Sequence, residues 1–436
     1  MKRIIGSLLF LAMLAGPARA QDLDAPLDNA AQKRAVAEIA GLLRDHYIDP
    51  DLGDRAARAL EQRLADGGYA EARKPHDMAI RLTDDLRQAT GDQHLEVISR
   101  AEDTVAAPAR SNGGFVRVDR LKGGIGYLEL DQFVPLGLFA PFADEAMKRV
   151  AGTDALIIDL RDNIGGSASS VIYFGSFFFG SPTHVDELIN RTPKTKDFTT
   201  TALMTLATPT PYLGKPVYIL TSRKTFSGAE ELADELQAQG RAKVVGEATA
   251  GGANAGQSWR LIGGQLQVFV PSSRWENPVT RSNWAATGVK PDLATPSSGA
   301  FVAALQALAP QQAAGLRPDA GADQALDAHL MPLRSRPQPG GEQAVRKLLA
   351  DLLAGTPDYA RMDTDIAAAT RRMAPDMKAS LERLGPIQSI TFQDIGPVGG
   401  DEYVARFAKG AAVVMIYRED DGRLAAYAIA LPDSLL

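Results

Sequence analysis

The sequence predicts a multidomain chain of mixed α/β and α+β character. Three observations predict it. Residues 27–93 carry helical periodicity, residues 113–308 alternate short apolar runs with amphipathic segments, and residues 343–436 pass from helices to closely spaced strands.

The helical region comes first. "NAAQKRAVAEIAGLLRDHYI" places Val36, Ile39, Leu42, Leu43 and Tyr47 on one helical face. Pro50 opens a second helix, and a third, "HDMAIRLTDDLRQAT", stops at Gly91. A linker rich in Ala, Ser and Pro is expected over 101–112. The runs "GGIGYLELDQF", "DALIIDLRD", "KPVYILTS" and "AKVVGEA" then read as buried strands, with "FADEAMKRVAG" and "GAEELADELQAQG" as helices between some of them. A hairpin is expected around Gly263-Gly264. Residues 309–342 read as a second linker holding a helix. The last strands are "SITFQDIG", "DEYVARFAKG", "AAVVMIYRED" and "LAAYAIAL".

The expected organisation is a signal peptide (1–20), an N-terminal helical domain (21–100), a linker (101–112), an α/β core (113–308), a linker (309–342) and a C-terminal α+β module (343–436). The signal rests on Lys2 and Arg3, the apolar stretch Ile4–Ala15, and the small-x-small site Ala18-Arg19-Ala20. It predicts an exported chain, periplasmic or secreted, starting at Gln21, with no stable membrane insertion after cleavage.

Composition narrows the chemistry. The 436 residues are 45% hydrophobic and 23% charged, as in ordinary globular protein. A net charge of −6 provides no basic footprint for nucleic acid. With no cysteine, disulfides, thiolate metal sites and cysteine nucleophiles are excluded. The five histidines, His46, His76, His94, His184 and His329, include no pair at metal-ligand spacing, so neither a metal nor a cofactor is expected.

Three stretches can carry chemistry. In "KTFSGAEELADEL", Ser227 stands where a strand hands over to a helix. It reads either as the helix cap, bonded to the Glu230 N–H, or as a nucleophile with the Gly228 N–H as an oxyanion donor. In "IIDLRDNIGGSAS", a polar turn follows a buried strand, and Gly165 or Gly166 can present a second donor. In "TGDQHLEV", His94 is either a structural histidine or a general base. Trp259, Trp275 and Trp284 fall within one short segment and read as core packing rather than a substrate groove.

Taken in order, "DQHLEV", "DLRDNIGG", "TSRKTFSGAEELA", "VVGEATAGGA" and "NWAATGVKPDL" resemble the C-terminal processing peptidase family of serine peptidases. The resemblance is to the branch of the tricorn protease core and the interphotoreceptor retinoid-binding protein modules, and it spans roughly residues 30–300. It implies an α/β peptidase core of the ClpP/crotonase-like type and polypeptide substrates, often cut near a free C-terminus. It further implies Ser227 as nucleophile, His94 as base, and the N–H groups of Gly228 and of Gly165 or Gly166 as the oxyanion hole.

Two departures stand out. No lysine lies between Lys243 and Lys290, so the Ser-Lys variant has no base, and the segment from Val97 to Phe115 is too short for an inserted PDZ domain. In the histidine branch the late motif usually reads Asn-Trp-Glu-Gly, and this chain has Asn283-Trp284-Ala285-Ala286. Ala285 cannot accept a hydrogen bond. Asp92, Glu96, Glu230 and Glu276 are the candidate substitutes by proximity to the motifs. The alternative function is therefore a catalytically impaired relative that binds peptides or apolar ligands in an inherited cleft. The last ninety residues resemble NTF2-like modules of exported hydrolases, which implies a binding or spacer role.

Overall fold

A computed structural model describes residues 25–99, 113–317, 336–362, 364–395, 400–418 and 422–430. The expected signal peptide and first linker, and most of the second, lie outside the described residues.

Three helices open the chain: α1 (Asn29–His46), α2 (Pro50–Ala65) and α3 (Pro75–Thr90). Asp28 caps α1 through the Ala31 N–H, Asp49 caps α2, and Gly91 ends α3 in the left-handed region at φ 73°. They do not close a core by themselves. Val36, Ile39, Leu43, Leu60 and Leu82 pack against Val97 of β1 (Glu96–Ser99) and Leu266, Val268 and Val270 of β10 (Leu266–Glu276). The alternation in "LQVFV" turns one face of β10 toward the helices.

The central six-stranded sheet runs β11-β8-β7-β4-β3-β2. Its strands are β2 (Phe115–Leu121), β3 (Ile125–Leu130), β4 (Ala155–Asp159), β7 (Val217–Thr221), β8 (Lys243–Gly246) and β11 (Leu293–Ala294). All neighbours pair parallel except β2 with β3. Each of the five β4 residues is buried, because helices cover both faces. Leu156 and Ile158 pack under α4 (Leu136–Val150), α5 (Ala168–Ser176) and α6 (Gly228–Ala238). Ile157 faces α7 (Ser297–Leu308), which the short α8 (Pro310–Ala313) follows.

In the second, antiparallel sheet β10 is the hub. It pairs with β9 (Asn254–Leu261) on one edge. On the other it pairs first with β1 and then with β5 (His184–Arg191), which continues to β6 (Phe198–Met204). The β9–β10 turn is the hairpin around Gly263-Gly264.

The C-terminal part holds α9 (Gly341–Ala354), α10 (Thr364–Leu384) and the antiparallel sheet β12-β13-β14-β15, formed by Ile387–Ile395, Asp401–Phe407, Gly410–Arg418 and Leu424–Ala430. Met415 of β14 joins the hydrophobic cluster of the central sheet. Among the described residues no helix is long and apolar enough to cross a membrane.

Candidate active site

The site forms at the carboxyl ends of β4 and β7, neighbours in the parallel sheet. The turns after the two strands are stapled together. Thr225 Oγ1 donates to the Leu160 carbonyl at 2.8 Å, Ser222 Oγ to the Arg161 carbonyl, and the Phe226 N–H to the Asn163 carbonyl at 3.1 Å. Asn163 is fully buried. Its Nδ2 donates to the Leu130 carbonyl, and its Oδ1 accepts from the Gly165 N–H at 2.8 Å.

This scaffold sets Ser227 at φ 54°, ψ −122°, a strained conformation at a sharp strand-to-helix turn. Gly165 and Gly166 lie against it. A Cβ on Gly165 would stand 2.7 Å from both the Gly228 nitrogen and Ser227 Cβ, and one on Gly166 would stand 2.1 Å from the Phe133 carbonyl oxygen. No side chain fits between this turn and the helix start.

His94 arrives from the other layer, on the turn between α3 and β1. Its Nε2 is 3.0 Å from Ser227 Oγ, across 133 positions of sequence. Ser227 and Glu230 occupy the two positions of a capping box, so the serine is a helix cap and a partner of His94 at once. The His94 ring packs on Phe226, with centroids 4.4 Å apart, and on Phe269 at 5.9 Å. Burial holds the imidazole pKa below its usual value; the Asp92 charge opposes that shift and Arg87 adds to it. The ring is thus neutral at neutral pH.

The other imidazole nitrogen differs. His94 Nδ1 is sealed from solvent and has no hydrogen-bond partner. Asp92 is close, but its oxygens are engaged elsewhere. Oδ1 accepts the His94 backbone N–H at 3.0 Å, and Oδ2 accepts from Tyr47 at 3.0 Å and Asn254 at 2.8 Å.

Glu230 ties the site together. Its Oε2 accepts the N–H groups of Ser227 and Gly252, each at 2.8 Å, and its Oε1 accepts Thr249 Oγ1 at 2.5 Å and the Gly251 N–H at 2.6 Å. Burial raises its pKa, and these four donors pull it back. The carboxylate therefore clamps the "TAGG" loop to the serine turn. Gly252 in turn walls the imidazole: a Cβ there would stand 2.7 Å from His94 Cε1. The Gly252 carbonyl accepts from Trp284 Nε1 at 3.0 Å, which brings the neighbouring Ala285 segment to the same loop.

Of the other candidate carboxylates, Glu96 is exposed and paired with Arg87, and Glu276 ends β10. Trp275 and Trp284 are buried in the main core, and Trp259 packs beside His46. A cleft of about 930 Å³ opens at the site, lined by Arg87, His94, Ile164, Arg223, Phe226 and Phe269 among others. Sequence reading missed the clamp role of Glu230 and the ring contacts of Gly252, Phe226 and Phe269. The double glycine of "TAGGA" was the available signal for a close approach.

Two family models match the sequence. A model of peptidase family S41 matches residues 124–295, and one for the N-terminal domain of S41 peptidases in eukaryotic interphotoreceptor retinoid-binding protein matches residues 28–119. Together they cover more than half of the chain. Residues 124–295 are similar to peptidase family S41.

Among similar proteins, a carboxyl-terminal-processing protease of Picosynechococcus is 26% identical over 203 residues, a match spanning 46% of this chain and 46% of that protein. The chain thus matches less than half the length of this curated relative. Two solved structures of similar shape are a candidate peptidase from Parabacteroides merdae (18% identical, TM-score 0.48, 61% of this chain and 90% of that one) and the photosystem II D1 C-terminal processing protease (14% identical, TM-score 0.42, 62% and 94%). The likeness to the family rests on the two sequence models.

Proposed function

We propose that this chain is an exported serine peptidase that cleaves polypeptides through Ser227 and His94. The observation that carries the reading is the 3.0 Å approach of His94 Nε2 to Ser227 Oγ at a strained strand-to-helix turn. In the forward step His94 Nε2 takes the Ser227 hydroxyl proton as Oγ bonds to the scissile carbonyl carbon. The resulting imidazolium returns that proton to the leaving amine. Water, deprotonated in the same way, then releases the acyl group as a carboxylate.

The tetrahedral oxyanion needs two donors. Gly228 supplies one N–H at the start of α6, where the helix dipole favours negative charge. Gly165 already donates to Asn163, so we assign the second to Gly166, whose nitrogen lies 3.4 Å from the Cβ position of Gly228.

A second reading has its own support. His94 Nδ1 has no partner, and Ala285 stands where the histidine branch usually has its carboxylate. On that reading turnover has lapsed and the cleft binds peptides or apolar ligands. Export and the ClpP/crotonase-like and NTF2-like assignments belong to the same proposal; amino-terminal sequencing of the mature protein should begin at Gln21. Incubating purified protein, Ser227→Ala and His94→Ala with a denatured polypeptide decides between the readings. Cleavage lost in both variants supports the peptidase. Equal cleavage by Ser227→Ala sinks it.

A further inference from the structure

One group of buried side chains lies outside this mechanism. Asp186 of β5 and Glu231 and Glu235 of α6 each offer a carboxylate oxygen, and the three oxygens lie within 4.8 Å of one another. The residues are 0%, 1% and 0% exposed. Glu231 and Glu235 are one helical turn apart, so they share a face of α6, and β5 brings Asp186 to that face.

Their oxygens are orphaned. Asp186 Oδ2, Glu231 Oε1 and both oxygens of Glu235 are sealed from solvent without a hydrogen-bond partner. Asp186 Oδ1 accepts the Glu187 N–H at 2.8 Å, and the backbone of Glu276 also bonds to this carboxylate. The charged groups acting on Glu231 and Glu235 are all carboxylates: Asp186, Asp234 and Glu235 on one side or the other. Asp234 itself is bonded to Asn277 Nδ2 at 2.7 Å. On the far side, Gly175 of α5 leaves the space beside Glu235; a Cβ there would approach its Oε2 to 3.2 Å.

Such a cluster must be neutralised. An isolated buried carboxylate costs far more than folding can offset, and three together repel one another. Protons would remove the charge, but each supplies one donor and leaves a sister oxygen unpaired. A cation satisfies converging lone pairs together. Oxygens bound to one Ca²⁺ at about 2.3–2.6 Å lie no more than roughly 5 Å apart, which matches the cluster.

We infer that Asp186, Glu231 and Glu235 bind a divalent cation. An all-oxygen donor set selects the hard class, and a dry cage of side chains suits Ca²⁺ better than Mg²⁺, which keeps its waters. The ion ties α6 to β5, and Glu231 stands one turn beyond Ser227. It is a structural brace for the helix that carries the serine, and it holds whether that serine is catalytic or not.

The test uses the mature protein. It is stripped with EDTA, dialysed into CaCl₂, MgCl₂ or MnCl₂, and measured for bound metal by mass spectrometry and for melting temperature. One calcium per chain is expected, with melting several degrees higher in about 1 mM calcium than in EDTA, as binding to the folded state alone requires. Glu235→Gln and Asp186→Asn, which copy the shape of protonated carboxyls, should lose both the metal and the shift. Should these variants fail to fold, the wild-type metal content and EDTA shift decide alone. Wild-type protein without stoichiometric metal, melting identically in EDTA and in each cation, would overturn the inference and leave a cluster neutralised by protons.

Discussion

Glu230 Oε2 accepts the Gly252 N–H at 2.8 Å, and that bond holds Gly252 against the imidazole of His94. The histidine is aligned by packing, with Gly252 and Phe226 as walls, where a carboxylate on Nδ1 would otherwise align it.

Gly252→Ala should displace the ring. The new Cβ would stand 2.2 Å from Phe226 Cε2 and 2.7 Å from His94 Cε1. Misplacing a base by about 1 Å costs on the order of 10²-fold in turnover. Steady-state hydrolysis of a peptide substrate should show a fall in kcat with a smaller change in KM.

Glu230→Gln should destabilise the fold. Each carboxylate oxygen accepts two donors, and an amide NH₂ in place of one oxygen faces two of them with hydrogens of its own. Leaving buried donors unpaired next to a former charge costs roughly 2–4 kcal/mol. Urea denaturation should report that loss through a lower midpoint at an unchanged slope.

Much of this architecture was legible in the sequence, for identifiable reasons. α6 follows β7 with clear periodicity, and Gly91 marks the end of α3 because a left-handed cap favours glycine. Ser227, His94 and the Gly165-Gly166 turn stood out as polar residues at the ends of apolar runs. The shared core of α1–α3 with β10 did not, because the pairing of β10 with three other strands is non-local. Glu230 reads as an ordinary helix-start carboxylate; only the fold brings the "TAGG" loop onto it. Asp186 was invisible as a partner of Glu231 and Glu235, since β5 has no strong alternation and its contact with α6 is tertiary.

Ser227→Gly and Ser227→Ala should differ in stability although both lack the hydroxyl. Alanine keeps a side chain at φ 54°, and glycine adopts that region without strain. The glycine variant should be the more stable by about 1–2 kcal/mol, within the cost of one strained residue. Parallel thermal melts of the two variants read the difference. Equal melting temperatures would mean that the turn stores no strain.

The acid limb of activity should lie low. Burial holds the His94 pKa below the usual 6.5, so the imidazole stays neutral, and able to accept the serine proton, into mildly acidic solution. The profile of kcat/KM against pH should stay flat on descending through 6.5 and fall as pH drops through the depressed value. A half-maximum above 6.5 would mean that a nearby carboxylate raises the pKa more than burial lowers it.

The most direct test of the peptidase account is labelling by a fluorophosphonate, which reacts with an activated serine and needs no knowledge of the substrate. Purified mature protein, Ser227→Ala and Ala285→Glu would be treated side by side. The account predicts labelling of the wild type that vanishes in Ser227→Ala and strengthens in Ala285→Glu. An unlabelled wild type, with labelling only in Ala285→Glu, would contradict it and leave a peptidase scaffold that binds without cutting.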